Sequence, residues 1–338
     1  MNATCGILGG RLDQHVGASS TNASPNIGSI CKCAAHHSGA RHWLTGMTLL
    51  VCIAAMPDWA NALPVYAYSK NEISFLFMTT ETVNTLDNFS LYDSSHTASF
   101  AGFGTSSHPQ GAESGTNDLV ESFVGPGASG FARADTGRDL DIIDRGQNSS
   151  NVAEAYRTTP GTASASASTK LTVQMTTSLP GEPVSFSFFS RPFMRVMTSA
   201  DGDEAVAELA LSFSVLFQSG SGQTAARTIF TWNPCGNASD ASCFDLKDPN
   251  VSVGRVIDPF DVNQTIQCSG SCERTWPTDG NEQSGAYSIT LNIPDTGYLQ
   301  ASISANENVR VRGVPEPSTI LLVASSLALL RWRKRRMV

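Results

Sequence analysis

Along residues 205–217 the apolar side chains Leu209, Leu211, Phe213 and Val215 recur at every second position, separated by small or polar residues. A period of two places them all on one face of an extended strand, whereas a helix would scatter them around its circumference. Val184-Ser-Phe-Ser-Phe-Phe189 alternates in the same way, and Asp201-Gly202-Asp203 between the two segments has turn composition, so the pair is expected to form a hairpin with one apolar face. Residues 219–222 turn the chain again into Thr228-Ile-Phe-Thr-Trp232. A second hairpin is expected from Tyr287-Ser-Ile-Thr-Leu-Asn-Ile293, the turn Pro294-Asp-Thr-Gly297 and Tyr298-Leu-Gln-Ala-Ser-Ile303. Leu171-Thr-Val-Gln-Met175 and Glu72-Ile-Ser-Phe-Leu-Phe77 add further strands. Strands with one apolar face need a second sheet to cover them, and no segment of comparable quality has a helical period. The expected fold is therefore mainly β, an antiparallel β-sandwich of jelly-roll type. Residues 93–169 are rich in Ser, Gly, Thr and Ala and read as long loops, with no boundary that marks a second domain.

Both ends of the chain differ from this body. Residues 43–56, Trp-Leu-Thr-Gly-Met-Thr-Leu-Leu-Val-Cys-Ile-Ala-Ala-Met, form an apolar run of signal-peptide length, preceded by Lys32 and Arg41 and followed by the small-residue site Ala60-Asn61-Ala62. Export through a signal helix is expected, with cleavage after Ala62 and residues 1–62 forming the leader. A buried core helix is the alternative, but Gly46 within the run and Pro57 after it disfavour one.

The last 25 residues read in three parts: Val314-Pro315-Glu316-Pro317-Ser318-Thr319, an apolar run over 320–330 broken by Ser325 and Ser326, and Arg331-Trp332-Arg333-Lys334-Arg335-Arg336. The prolines disfavour helix at the residue before each, which keeps Val314 and Glu316 extended. Ser318 and Thr319 are good caps for the helix that follows. About 13 helical residues reach roughly 20 Å, short of the roughly 30 Å hydrocarbon core, so the helix seeks the membrane without crossing it comfortably. Arg331, Arg333, Lys334, Arg335 and Arg336 form a cationic stop that favours the cytoplasmic side.

This tail resembles the PEP-CTERM sorting domain of Gram-negative, biofilm-forming bacteria. The resemblance covers residues 314–338 only. It implies recognition by exosortase, a membrane cysteine transpeptidase, with processing near Val314, Pro315, Glu316 and Pro317. It also implies a transient stay in the inner membrane, held by the C-terminal helix before processing, and then delivery to the outer envelope or the exopolysaccharide matrix. An ordinary single-pass anchor is the alternative, for which the apolar stretch is short.

Between the two ends, residues 63–313 form the exported body. Taken to Pro317, it keeps 14 basic residues against 28 acidic ones, a net charge near −14, which repels nucleic acid and anionic lipid. Its four cysteines, Cys235, Cys243, Cys268 and Cys272, are an even number in an exported chain and favour disulfides. Of three pairings the simplest joins Cys235 with Cys243 and Cys268 with Cys272; a structural zinc would need tighter ligand pairs and a nearby histidine.

Few residues in the body suggest catalysis. His96 and His108 lie in polar sequence read as solvated loop, and no G-x-S-x-G elbow accompanies them. Asp135, Asp139, Asp141 and Asp144 could contribute to a calcium site but depart from the EF-hand spacing; a solvated acidic loop is the plainer reading. Tyr66, Tyr68, Trp232, Trp276 and Tyr298 could stack on sugar rings where exposed, although a sandwich more often buries such rings. The Asn237 sequon carries little weight in a bacterial protein. These features leave no residue marked for catalysis and imply no resident cofactor or metal; with the export route and matrix setting that the tail's resemblance implies, the expected protein is a non-catalytic structural or binding protein of the exopolysaccharide matrix or envelope. The alternatives are a secreted hydrolase acting on matrix polysaccharide through a carboxylate pair, and a calcium-stabilised adhesin. An open surface lined by exposed aromatics would favour the binder.

Overall fold

In the computed structural model of the chain, residues 64–80, 87–113, 119–127, 129–141, 146–177, 179–220, 225–315, 325–327, 329, 331 and 332 are described. All belong to one compact unit spanning Pro57–Val338. The expected signal segment, Ala60 and Ala62 lie outside the described residues, as do Glu316, Pro317, Arg333, Lys334, Arg335 and Arg336. The described residues between 325 and 332 are helical, and no described helix is long and apolar enough to cross a membrane.

Among the described residues, sixteen strands form two antiparallel sheets. One contains β1 (Val65–Thr80), β4 (Leu119–Gly127), β5 (Gly130–Asp141), β6 (Gly146–Arg157), β8 (Pro183–Thr198), β12 (Ser252–Ile257), β14 (Cys272–Trp276) and β15 (Gly285–Asn292). Its order is β12-β15-β8-β1-β6-β5-β4, with β14 also paired to β8; we call it sheet A. Sheet B contains β2 (Asp87–Phe100), β3 (Gly104–Glu113), β7 (Gly161–Thr177), β9 (Glu204–Ser219), β10 (Arg227–Trp232), β11 (Phe244–Leu246), β13 (Gln264–Ser269) and β16 (Gly297–Gly313). Its order is β11-β10-β9-β16-β7-β2-β3, with β13 also paired to β9. The expected mainly β, sandwich-like architecture is present.

Two expectations about connectivity are corrected. β8 and β9 do not form a hairpin: β8 lies in sheet A and β9 in sheet B, and the turn at Asp201-Gly202-Asp203 carries the chain across the core. The same holds for β15 and β16 around residues 294–296. Period-two patterning places an apolar stripe on each strand, but two such stripes are buried equally well side by side in one sheet or face to face in two. The third expected turn does join a pair within one sheet, β9 with β10.

A further correction concerns residues 93–169, expected to be loops, which contain much of β2 and β7 and all of β3 to β6. Strand propensity there is low, yet the alternation is strict. Along β7, Ala163, Ala165 and Ala167 are buried while Ser164, Ser166 and Ser168 face outward. Ala132, Ala134, Ala153 and Ala155 line the facing sheet. Side chains this small bury well only in a narrow gap between sheets, so the context overrides intrinsic preference.

The core consequently has two halves. One is aromatic: Phe186 and Phe188 of β8 meet Phe213 of β9 and Trp232 of β10 across the sheets, with Phe186–Phe213 centroids 5.3 Å apart, and Tyr287 stacks on Phe188 at 5.1 Å. The other half is alanine-rich and crossed by a buried polar seam. Asn151 Nδ2 donates across the gap to the Ala305 carbonyl (3.1 Å), and Ser190 Oγ donates to Asn71 Oδ1 (2.8 Å). His96 Nδ1 lies 2.7 Å from Ser122 Oγ. Where β6 crosses to β7, the buried Arg157 guanidinium stacks on Phe100 and donates to the carbonyls of Thr159, Pro160 and Thr162. A Cβ at Gly161 would come within 2.8 Å of that guanidinium, which is why glycine stands there.

Glu307 of β16 lies in the seam, fully buried beside Asn151, with Ala167 and Leu209 as its strand neighbours. Neither carboxylate oxygen has a hydrogen bond of good geometry. Burial pushes its pKa well above the ordinary 4.5, against a smaller opposing pull from the Asn151 amide. The folded chain therefore holds a proton that the unfolded chain releases. This contribution to stability is complete below pH 4.5 and is lost as pH rises toward the folded value. Glu307→Gln is expected to match the native protein near pH 4 and then to gain on it by up to about 1.4 kcal/mol per pH unit, as measured by denaturant unfolding from pH 4 to 8.

Candidate functional site

The outer face of sheet A carries the chemistry that distinguishes this molecule from a plain sandwich. In β1, β5 and β6 the inward positions are largely Ala, Ser and Asn, and the outward positions hold rings and charges. Strand register aligns Phe131, Tyr156 and Tyr66 in one row across β5, β6 and β1. The next row runs Arg133, Glu154, Tyr68 and Arg195. Phe123 of β4 stacks on Phe131 (5.7 Å), Phe131 meets Tyr156 (5.8 Å), Tyr66 lies nearly parallel to Tyr68 (6.4 Å), and Tyr68 meets Phe193 of β8 (6.1 Å). Phe123 is 46% exposed and Phe189, farther along β8, 43%, while the other rings are half-buried. The result is a stripe of aromatic faces across five neighbouring strands.

Charged and hydrogen-bonding groups frame the stripe. Tyr66 Oη donates to Glu154 Oε1 at 3.0 Å. Burial and then the Glu154 charge raise the phenol's pKa, so it remains a donor. Burial also raises Glu154, opposed by the Tyr66 hydrogen bond and Arg133. Arg133 pairs with Asp135 (2.5 Å) and Glu121 (3.7 Å), Arg195 with Glu273 (2.7 Å), and Lys70 with Glu72 (2.8 Å) and Glu282 (3.2 Å). Chemically the surface offers flat π faces to the C–H side of a ring, edged by fixed donors and acceptors.

Of the rings singled out in sequence, Tyr66 and Tyr68 belong to this stripe. Trp232 is buried in the core, Trp276 packs at its edge against Phe260, and Tyr298 is half-buried on sheet B. Phe123, Phe131, Tyr156 and Phe193 escape sequence reasoning. Three of them fall in the segment read as loops, where Phe131-Ala-Arg-Ala and Glu154-Ala-Tyr156 carry the missing signal as polar or aromatic residues alternating with alanine.

The remaining sequence candidates are scattered. His96 is not a solvated loop residue but lies buried in β2, bridging to Ser122 of β4. His108 stands opposite it in backbone register on β3. The acidic run is strand rather than loop: Asp135 is buried and paired with Arg133, while Asp139 and Asp141 continue β5. At about 3.3 Å per residue, Asp135 and Asp139 are roughly 13 Å apart along the strand. Asp144 lies outside the described residues.

The cysteines form the pairs Cys235–Cys243 and Cys268–Cys272. The second joins β13 of sheet B to β14 of sheet A, linking the sheets where the chain crosses. Cys235, Asp240 and Cys243 are the one potential metal-binding group among the described residues, but both sulfurs are committed to the disulfide.

The C-terminal segment is tethered where it leaves β16. Val314 N–H donates to Asp203 Oδ1 (3.0 Å), while Asp203 Oδ2 accepts from Ala200 N–H (3.2 Å) and its carbonyl accepts from Gly270 N–H (3.3 Å). Pro315, the next residue, is exposed.

No known family profile matches the chain, and no curated protein matches it. Among solved structures, the "Structure of infectious bursal disease virus Gx strain" aligns at 12% identity over 81% of this chain and 75% of that one. The TM-score is 0.09, too low to relate the two folds.

Asp203 ties the β8–β9 turn to the point where the tail departs. Asp203→Ala is expected to cost about 1–3 kcal/mol in chemical denaturation, the usual cost of leaving buried partners unmet. It should also speed limited proteolysis around Val314 relative to cleavage elsewhere.

Proposed function

We infer that this is an exported, non-catalytic binding protein of the bacterial exopolysaccharide matrix or envelope, sorted through its C-terminal tail by exosortase. The observation that carries the binding part is the aromatic stripe on the outer face of sheet A. Aromatic rings otherwise gain most by burial, and a sandwich with a well-filled aromatic core has no packing need for Phe123, Phe131, Tyr156, Tyr66, Tyr68 and Phe193 on an outer face. Sugar rings match such a surface, because their C–H faces stack on π systems while their hydroxyls reach the Glu154, Arg133 and Arg195 rim. Repeated crossing of the chain between sheets supports the jelly-roll-like reading of the body. The export route rests on the tripartite tail and the N-terminal signal pattern, and the membrane-seeking helix belongs to that route as a transient anchor.

The binding claim is tested by affinity electrophoresis of the full chain through gels containing matrix polysaccharide. Tyr68→Ala and Phe123→Ala should each weaken retention about five- to tenfold, the effect of about 1 kcal/mol per stacked ring. Unchanged retention in both variants would remove the stripe as the site. The export claim is tested by intact mass in an exosortase-containing host and in its exosortase-deleted twin. Loss of residues 1–62 and of the Arg-rich tail is expected in the competent host. An intact tail retained in the membranes of both would make the protein a plain anchored one.

A further inference from the structure

The turn between β8 and β9 gathers both ends of the body at one pole of the sandwich. Ser199 Oγ donates to the Pro64 carbonyl at 3.0 Å, just before β1, and Asp203 accepts from Val314 N–H at 3.0 Å, just after β16. A Cβ at Gly313 would lie 3.8 Å from Val65 Cγ2, and one at Gly202 would lie 3.1 Å from Val314 Cγ2. The start of β1, the β8–β9 turn and the exit of the C-terminal segment therefore touch. Register carries the same pole across sheet B, where Gly313 stands opposite Gly161 at the start of β7, and Phe100 at the end of β2 stands opposite Ala163. The β2–β3 turn beyond Phe100 consequently projects from the pole by which the C-terminal segment leaves.

That turn presents an aromatic ring to solvent. Gly102 and Gly104 take φ of 91° and 92°, and between them Phe103 is 59% exposed, its ring edge-on to buried Phe100 at 5.4 Å. Pro126, Pro160 and Pro315 add exposed apolar surface at the same pole. Charge there is balanced, with Asp201 and the hydrogen-bonded Asp203 against Arg157 and Arg312. At the opposite pole the described turns, residues 179–182 and 294–296, hold Glu182 and Asp295 and no basic residue. The net negative charge by which the body repels anionic lipid is thus not carried by the pole with Phe103. The segment leaving this pole is apolar over 320–330 and basic over 331–336, and Leu327 and Leu329, in its described helical part, are exposed rather than covered by the body.

Resting on the membrane-seeking reading of that segment, we propose that this pole docks on the lipid surface that receives the C-terminal helix, with Phe103 as the side chain that enters the headgroup region. Burying one ring raises a bound population about tenfold. That is too little to hold a free body on a membrane. Residues 315–324 connect the exit point to the described helical residues, and a connection of about ten residues keeps the pole near an inserted helix at an effective concentration in the millimolar range. Under that tether a weak interfacial contact is populated, as two weak signals together give stable membrane association where one does not. The strands then run away from the bilayer, which leaves the aromatic stripe on sheet A facing sideways and open.

The test is hydroxyl-radical footprinting of the full chain, free and bound to vesicles of phosphatidylethanolamine and phosphatidylglycerol. Oxidation of Phe103 should fall about fivefold or more on the vesicles, while that of Leu179, 48% exposed at the opposite pole, stays as in free solution. Leu327→Glu/Leu329→Glu, which disables the helix, should restore the Phe103 rate. In vesicle co-sedimentation Phe103→Ser should lower partition about fivefold, and Leu179→Ser should not lower it. Unchanged Phe103 oxidation on a vesicle-bound chain would overturn the proposal and leave the membrane-seeking tail standing. Equal protection of Phe103 and Leu179, or protection of Phe103 that survives Leu327→Glu/Leu329→Glu, would overturn it as well. Protection of Phe103 without vesicles that grows with protein concentration would overturn it in favour of an interface between copies. Failure of the native chain to bind vesicles would overturn the docking and the tail reading together. Retention of Phe103→Ser in polysaccharide gels should equal that of the native chain, so the fate of the sheet A reading is read separately.

Discussion

The burial of one sheet's apolar stripe against the other's holds this molecule together, and it is concentrated in the aromatic half. Phe186 and Phe188 from sheet A interlock with Phe213 and Trp232 from sheet B, and Leu209, Leu211, Val215 and Ile303 continue the packing along the strands. Burying an aromatic or branched side chain contributes about 1.5–3 kcal/mol, whereas an alanine methyl contributes far less. The alanine half is therefore held largely by continuity with the aromatic half and by hydrogen bonds across the gap, from Asn151 to Ala305 and between His96 and Ser122. Glu307 is the costly member of that seam, tolerated as a neutral acid because the surrounding strands leave it no route to water.

A core made this way has consequences for the surface. Small inward side chains bring the sheets close and place few constraints on the outward positions of the same strands. Those positions hold rings and ion pairs on sheet A and hydroxyls and amides on sheet B. Chemistry on an open sheet face needs no loop to build it: strand register alone fixes the spacing of Phe131, Tyr156 and Tyr66, and that of Ser166 and Asn308. Crossings between sheets are reinforced where they occur, by Cys268–Cys272 between β13 and β14, by Arg157 between β6 and β7, and by Asp203 between β8 and β9. The Asp203 contact also sets where the body ends, because it binds the first residue beyond β16.

The amino-acid sequence by itself determines the strand character of β8, β9, β10, β15 and β16, because a two-residue period with large apolar side chains has one economical conformation. It favours the observed cysteine pairs as the simplest of three pairings, since partners so near in sequence close small loops readily, and the structure selects them. It carries the two terminal segments, whose meaning lies in the order of local features rather than in any fold. Partner choice was decided only in three dimensions. β8 and β9, like β15 and β16, carry matching stripes that suit a hairpin or a crossing equally, and the facing sheet selects the crossing. The Ser/Ala-rich region of residues 93–169 became strand for the same reason: alanine gains little from burial alone, and only an opposing layer of alanines at close range makes extended structure the better state. Tertiary structure likewise separated Trp232, inside the core, from Tyr66 and Tyr68, on the outer face. All three are aromatic residues in strand sequence, and which side of a strand faces the core depends on what the other sheet brings against it.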